Sequence, residues 1–363
     1  MGQHFSRLLN LLFVSTSVGP LGSGLGGGVE LTLNNLAQAL VQAGHRVQIV
    51  APLGSQLPGF DLVEIAGDGQ PTAQTAGRDA AVVLPANSVL ANMWDYARRV
   101  QGQYDLILNF AYDWLPLYLT AFFQIPIAHL ISMGSLTDAM DRVIEQVAQQ
   151  FPGTIAVHSQ AQAETFPCAD RCRPIGNGFD LSLYQFQPQP DPVLGWVGRI
   201  APEKALEDAL AAAQQTRLPL KIWGVIQDAE YWQQLCQAYP AATTQYAGFL
   251  PTAELQQAIG RCQALLMTPR WIEAFGNVAI EALACGVPVI AYRRGGPAEI
   301  VQHGETGWLV EPDSIAGLVQ AIQQIDQIDR RACRQYAEQE YSLVAMGERV
   351  EAWFADMLPS LRR

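Results

Sequence analysis

The sequence predicts an α/β protein of two parallel-sheet domains, and three observations carry that prediction. The chain has 363 residues, more than one average domain. Short apolar runs alternate with helical patterns and glycine turns along nearly all of it, the rhythm of repeated βαβ units. Residues 187–192, QPQPDP, set three prolines among polar residues between two folded patterns, which reads as a linker. The expected domains are therefore 1–187 and 188–342, followed by an amphipathic terminal helix containing MGERVEAWFADML.

The first domain opens with LLNLLFVS, residues 8–15, an apolar run that reads as a buried parallel strand. GPLGSGLGGGVE follows, and LTLNNLAQALVQAGHRVQIVAP then supplies a helix ended by Gly44 and a second strand. Gly22, Gly24 and Gly27 form G-x-G-x-x-G between strand and helix, the pattern of a dinucleotide site, which makes an NAD-dependent oxidoreductase the rival from another enzyme class. Such a site also needs an acid at the end of the second strand to hold the ribose, whereas this strand ends in Ala51-Pro52. The loop is also long for that motif, with six glycines between positions 19 and 28.

Residues 53–88 are polar and rich in Gly, Pro, Gln and Thr, and read as a surface excursion. SVLANMWDYARRVQGQ is an amphipathic helix, and YDLILNF is a strand carrying Asn109, with Tyr112, Asp113 and Trp114 just beyond it. IPIAHLIS is another strand, with His129 toward its carboxyl end, where α/β sheets keep their chemistry. By itself, a lone histidine on an apolar strand is more often a satisfied core residue.

The second domain begins with VLGWVGRIAPEKALEDALAAA, a strand ending in Gly198-Arg199 and a helix from about Pro202. Arg199 and Lys204 then stand at a strand's end and a helix's first turn, where cations oppose the helix dipole unless an anion sits between them. PLKIWG, TQYAGFL and QALLMT are further strands. Between QALLMT and VPVIAY lies GNVAIEALACG, a helix read with Asn277 as its N-cap and Glu281 in or next to its first turn, preceded by Glu273 and Phe275 in a loop. Backbone N–H groups of that turn suit an anion, and Glu281 suits sugar hydroxyls; the bland alternative is a dipole-stabilising Glu281 and a solvated Glu273.

Composition limits the partners. Twenty-two basic against 34 acidic residues give a net charge of −12, which repels nucleic acid and anionic lipid. There is no run of 18 apolar residues and no signal-peptide pattern, so neither a membrane span nor secretion is expected. Six scattered cysteines suggest reduced thiols and a cytoplasmic protein, with Cys168 and Cys172 structural rather than metal-binding. The opening MGQHFS satisfies a loose N-myristoylation pattern but lacks the basic cluster that would make one acyl chain an anchor.

EAFGNVAIEALACGVPVIA, followed by GGPAEI, resembles the donor-binding segment of the family 4 retaining glycosyltransferases, and the likeness extends in order along nearly the whole chain. It implies the GT-B fold: two Rossmann-like domains facing a central cleft, with the final helix, 343–363, crossing back to pack on the first domain. Glu281 would hold the ribose of a nucleotide sugar, while Glu273, Phe275, Gly276 and Asn277 would touch the transferred hexose. GR-x4-K is similar to the family's diphosphate clamp, implying that role for Arg199 and Lys204, although Ala205 stands where a glycine usually follows. Phe249 falls where the main chain meets the base, and Gly26 and Gly27, with Glu30, fit the loop beside the donor phosphates. His129 matches a histidine that reaches the transferred sugar, so the implied catalytic set is His129, Glu273, Arg199 and Lys204.

The implied reaction moves a hexose to an acceptor hydroxyl with retention. No D-x-D pair is present, and the expectation is no metal and no cofactor beyond the donor, UDP-glucose. GDP-mannose or UDP-GlcNAc as donor, and a saccharide or lipid as acceptor, remain alternatives. FVSTSVGPLGSGLGGGVELTLNNLA and LNFAYDWLPLYLT resemble family members that glucosylate a reduced pterin. That implies tetrahydrobiopterin as a small soluble acceptor, bordered by Tyr112, Trp114 and His129.

Overall fold

The computed structural model describes residues 7–75, 77–240 and 244–358, so MGQHFS lies outside the described residues. The chain divides into two compact units, Met1–Gly178 with Leu343–Arg363, and Phe179–Ser342.

Among the described residues the first unit holds seven strands: β1 (Asn10–Val14), β2 (Arg46–Pro52), β3 (Leu62–Ile65), β4 (Leu106–Asn109), β5 (Ile127–Ile131), β6 (Ile155–Val157) and β7 (Arg173–Pro174). All pair in parallel, in the order β3-β2-β1-β4-β5-β6-β7. The second unit holds β8 (Leu194–Val197), β9 (Leu220–Trp223), β10 (Thr244–Tyr246), β11 (Ala264–Met267), β12 (Val289–Tyr292) and β13 (Gly307–Val310). These too are parallel, in the order β10-β9-β8-β11-β12-β13. Each sheet thus has its first strand between its second and fourth. The winding reverses between the first and fourth strands, and the carboxyl ends at such a reversal are where doubly wound sheets take their ligands.

The central strands are buried on both faces, as Leu11–Val14 and Ala264–Met267 illustrate, which is why they read as unbroken apolar runs. β3 was not expected. Four residues, LVEI, at the sheet's edge and within the polar stretch 53–88 leave too little pattern to read.

The division at Gly178 falls nine residues before the expected boundary at 187. Residues 179–187 belong to the second unit because the Phe179 N–H donates to the Tyr341 carbonyl at 2.8 Å and the Gln187 N–H to that of Cys285 at 3.0 Å. The final helix, Leu343–Met357, belongs to the first unit. It buries Met346, Val350, Trp353 and Phe354, one helical face, in a cluster with Leu33, Leu36 and Leu40 of the helix Gly28–Gln42. The Trp353 indole N–H donates to the Gly153 carbonyl at 2.7 Å, and Arg349 donates to the carbonyls of Ile175 and Asn177 at 2.7 and 2.8 Å.

Candidate active site

In the second unit the winding reverses between the adjacent strands β8 and β11. After β8 the chain passes Gly198 and Arg199 into a 3-10 turn, Pro202–Lys204. The α-helix starts only at Leu206, because Ala205 takes a left-handed conformation, φ 45°, and separates turn from helix. Lys204 is therefore not in the first helical turn, as its spacing suggested. Ala205 preserves the geometry a glycine would adopt freely, at a cost of about 1 kcal/mol. The loop after β11 fastens this turn: the Arg270 N–H donates to the Glu203 carbonyl at 2.9 Å, and the Thr268 hydroxyl to that of Ala205 at 2.9 Å.

That fastening brings Lys204 onto Glu273. The Lys204 ammonium pairs with Glu273 Oε2, and the Trp271 indole N–H donates to the same oxygen at 3.1 Å. The Lys204 ammonium lies 5.0 Å from the Trp271 ring centroid and the Arg199 guanidinium 5.7 Å, both cation–π distances. Arg199 also reaches Glu203 at 3.2 Å and bonds to Gln227. Burial pushes the Glu273 carboxyl up, but Lys204, the Trp271 N–H and Arg199 outweigh it and hold the group below its ordinary value. The result is a pair of cations, a carboxylate and an indole at one strand end.

The next loop carries Phe275, Gly276 and Asn277 into the helix Asn277–Ala284. Its N-cap is Gly276, at φ 104°, and Asn277 is the first helical residue rather than the cap. A side chain at Gly276 would also press on Pro297, 2.9 Å from where its Cβ would stand. Gly296 is required by close approach, since a Cβ there would lie 2.2 Å from the Phe275 carbonyl oxygen. The Gly296 N–H donates to the Glu273 carbonyl at 2.8 Å, so the GGP turn buttresses the loop carrying Glu273. Glu281 follows on the second helical turn and is only 7% exposed. Tyr184 donates its hydroxyl to Glu281 Oε1 at 3.1 Å. Burial pushes the Glu281 carboxyl up to about 7, the Tyr184 bond acting in the other direction. Phe275 is buried edge-on against Tyr341, whereas Phe249, just after β10, is 69% exposed and available for contact.

In the first unit, the loops after β1 and β4 flank the corresponding reversal. The glycine loop has an internal anion: Glu30 accepts from the N–H groups of Gly22 and Gly26, both at 2.7 Å, and of Gly24 at 3.3 Å. The Gly27 N–H is bound to the Gly24 carbonyl at 3.1 Å. Tyr112 accepts at its hydroxyl from the Leu136 N–H at 3.3 Å, and burial raises its pKa. Trp114 opens the short helix Trp114–Leu119, capped by Asp113, and stacks on Tyr118 with centroids 4.5 Å apart.

His129 is a correction to the expectation that it reaches substrate. It is 0% exposed, and both ring nitrogens are bound inside the protein. Asn109 donates its amide to Nδ1 at 3.2 Å, which leaves Nε2 protonated and donating to the Thr120 hydroxyl oxygen at 2.9 Å. Burial lowers its pKa to about 3, so it is a neutral core residue. The residue just past the end of β5 is Ser132, whose hydroxyl lies 3.3 Å from His158 Nε2.

Trp271 and Tyr184 escaped sequence reading. Both meet partners 67 or more residues away, Lys204 and Arg199 for Trp271 and Glu281 for Tyr184, and no local pattern marks them. Among the described residues no group of three or more His, Cys, Asp or Glu could hold a metal ion, and no helix is long and apolar enough to cross a membrane.

Two family models match the chain, one after the other: Glycosyltransferase Family 4 over residues 26–183 and Glycosyl transferases group 1 over residues 185–340. A glycogen synthase of Mycobacterium tuberculosis is 26% identical over 344 residues, covering 82% of this chain and 82% of that protein. A 2-deoxystreptamine N-acetyl-D-glucosaminyltransferase of Streptomyces fradiae is 32% identical over 142 residues, 37% of this chain and 34% of that one. Among solved structures, HepE of Anabaena in complex with UDP-glucose superposes with a TM-score of 0.74 at 20% identity, over 96% of this chain and 100% of that one. Sucrose-phosphate synthase from Thermosynechococcus elongatus gives 0.77 at 20% identity, over 98% and 100%. With a glycosyltransferase model on each half and the doubly wound sheet in both, the chain belongs to the GT-B glycosyltransferases.

Proposed function

We propose that this protein transfers glucose from UDP-glucose to a hydroxyl of a small acceptor, with retention of the anomeric configuration, and that the acceptor is a reduced pterin, tetrahydrobiopterin. The observation that carries the donor half is the convergence of Arg199, Lys204 and Glu273 at the ends of neighbouring strands β8 and β11. Departure of a nucleoside diphosphate builds negative charge on the phosphate oxygens, and the two cations held at this strand end stabilise it. Glu281, on the helix that follows, accepts from the ribose hydroxyls. Glu273, Phe275, Gly276 and Asn277 orient the hexose, and Phe249 meets the base. The bond from the sugar's anomeric carbon to phosphate breaks, a bond to the acceptor oxygen forms on the same face, and the leaving phosphate takes the acceptor's proton. Arg199 and Lys204 provide the charge a divalent ion would otherwise supply.

The acceptor half rests on the sequence likeness and on the aromatic pair at the end of β4. Tyr112 and Trp114 are partly buried against the cluster around Leu117 and Ile131, and a heteroaromatic ring calls for aromatic neighbours of this kind. His129 has no part in this reading.

The test follows the unfolding midpoint with UDP-glucose, GDP-mannose and NADH in turn, since a ligand of the folded state raises it. UDP-glucose raises it in the wild type and not in Glu281→Ala. Turnover is then measured with tetrahydrobiopterin, with and without EDTA, and the product anomer is read by NMR. A β-glucoside would refute retention, loss of activity in EDTA would refute metal independence, and a response to NADH alone would refute the whole reading.

A further inference from the structure

Lys204 and Glu273 pair with each other. The proposed reaction needs them apart, with the ammonium on the diphosphate and the carboxylate on the hexose hydroxyls. Separating them exposes two largely buried ions, each with only 18% of its side chain accessible, to the desolvation penalty of unpaired charge. One side chain touches both. The Trp271 indole N–H is on Glu273 Oε2, the oxygen Lys204 uses, while its ring face lies beneath Lys204 and Arg199. Its loop is fixed from the other side by Arg270, whose N–H donates to the Glu203 carbonyl and whose guanidinium pairs with Glu207 and Asp208.

We propose that Trp271 is a positioning residue of the donor site, a pivot that holds Glu273 in place and carries Lys204 across its ring as the ammonium moves from carboxylate to diphosphate. The inference rests on the donor site proposed above. When Lys204 leaves, the indole N–H remains as a charge-assisted hydrogen bond, so Glu273 keeps its direction and is not left bare. The ring face is broad, and cation–π attraction persists over an arc of positions within about 6 Å of its centroid, so Lys204 shifts without losing all its partners. Only an indole supplies both functions, since phenylalanine keeps a face without the N–H and leucine has neither.

The experiment compares Trp271→Phe and Trp271→Leu with the wild type by calorimetric titration of UDP and of uridine, and by the rate of UDP release from UDP-glucose. Trp271→Phe is expected to keep its UDP affinity within about twofold while kcat falls about tenfold, the loss of one hydrogen bond to a charged group. Trp271→Leu is expected to lose about fivefold in UDP affinity as well, with uridine binding unchanged because uridine carries no phosphate. Wild-type UDP affinity in Trp271→Leu, an equal loss for uridine and UDP, or an undiminished kcat in Trp271→Phe would each overturn the pivot. A wild type that binds neither UDP nor UDP-glucose would remove the donor site itself, a result distinct from all of these.

Discussion

Replacing Glu281 by glutamine keeps its shape and leaves an oxygen for the Tyr184 hydroxyl, but removes the ionisation. The carboxyl is ordinarily near 4.5 and is pushed up to about 7 by burial. A folded chain that holds this proton more tightly takes it up on folding, so stability is greatest below about 4.5 and falls as pH rises through 7. The displacement is worth about 3 kcal/mol at 1.36 kcal/mol per pH unit. In a unit the size of Phe179–Ser342, each kcal/mol moves the midpoint by about 2–4 °C, so the full effect is about 6–12 °C. Calorimetry of wild type and Glu281→Gln at pH 5 and pH 8 isolates it, because any constant cost of burying the amide cancels in the comparison between pH values. The wild type should lose stability relative to the variant on going to pH 8. A stability of the wild type relative to the variant that is the same at both pH values, or that is higher at pH 8 than at pH 5, would refute the buried, proton-binding Glu281. UDP affinity in the wild type should also rise from pH 6 to pH 8, as the stronger carboxylate acceptor forms.

The first unit should respond with the opposite sign. Burial lowers His129 to about 3 and His158 to about 4, so folding expels their protons, and stability is lost as pH falls from about 6.5 toward 4. A first-unit transition in calorimetry that does not decline over that interval would contradict it. Trp353→Ala removes the largest buried side chain of the terminal helix and its bond to Gly153, and should cost about 3–5 kcal/mol in urea unfolding of the first unit while UDP affinity holds. Ala205→Gly relieves a left-handed backbone and should change stability by no more than about 1 kcal/mol, with UDP affinity unchanged; a tenfold loss of affinity would show that the methyl group itself shapes the clamp.

Much of this protein is written locally. Parallel strands buried on both faces must be apolar throughout, so β1, β4, β11 and β12 stand out as runs, and the helix Asn277–Ala284 is bracketed by its glycines. Arg199, Lys204, Glu273 and Glu281 stand out as candidates through the resemblance of their segments to a family, because spacing alone is equally well met by solvated or dipole-stabilising side chains. Tertiary structure decided the rest. An apolar strand carrying one histidine reads alike whether the ring faces ligand or core; Thr120 and Asn109, 9 and 20 residues away, decide for the core. The unit boundary moved from the prolines to Gly178 because hydrogen bonds to Tyr341 and Cys285 claim the intervening residues. Trp271 meets Arg199, and Tyr184 meets Glu281, only because sheet order sets β11 beside β8 and draws the chain after Gly178 onto the second unit. Periodicity reports which face of an element is buried, but which distant element covers that face depends on strand pairing, and a single sequence does not state the pairing.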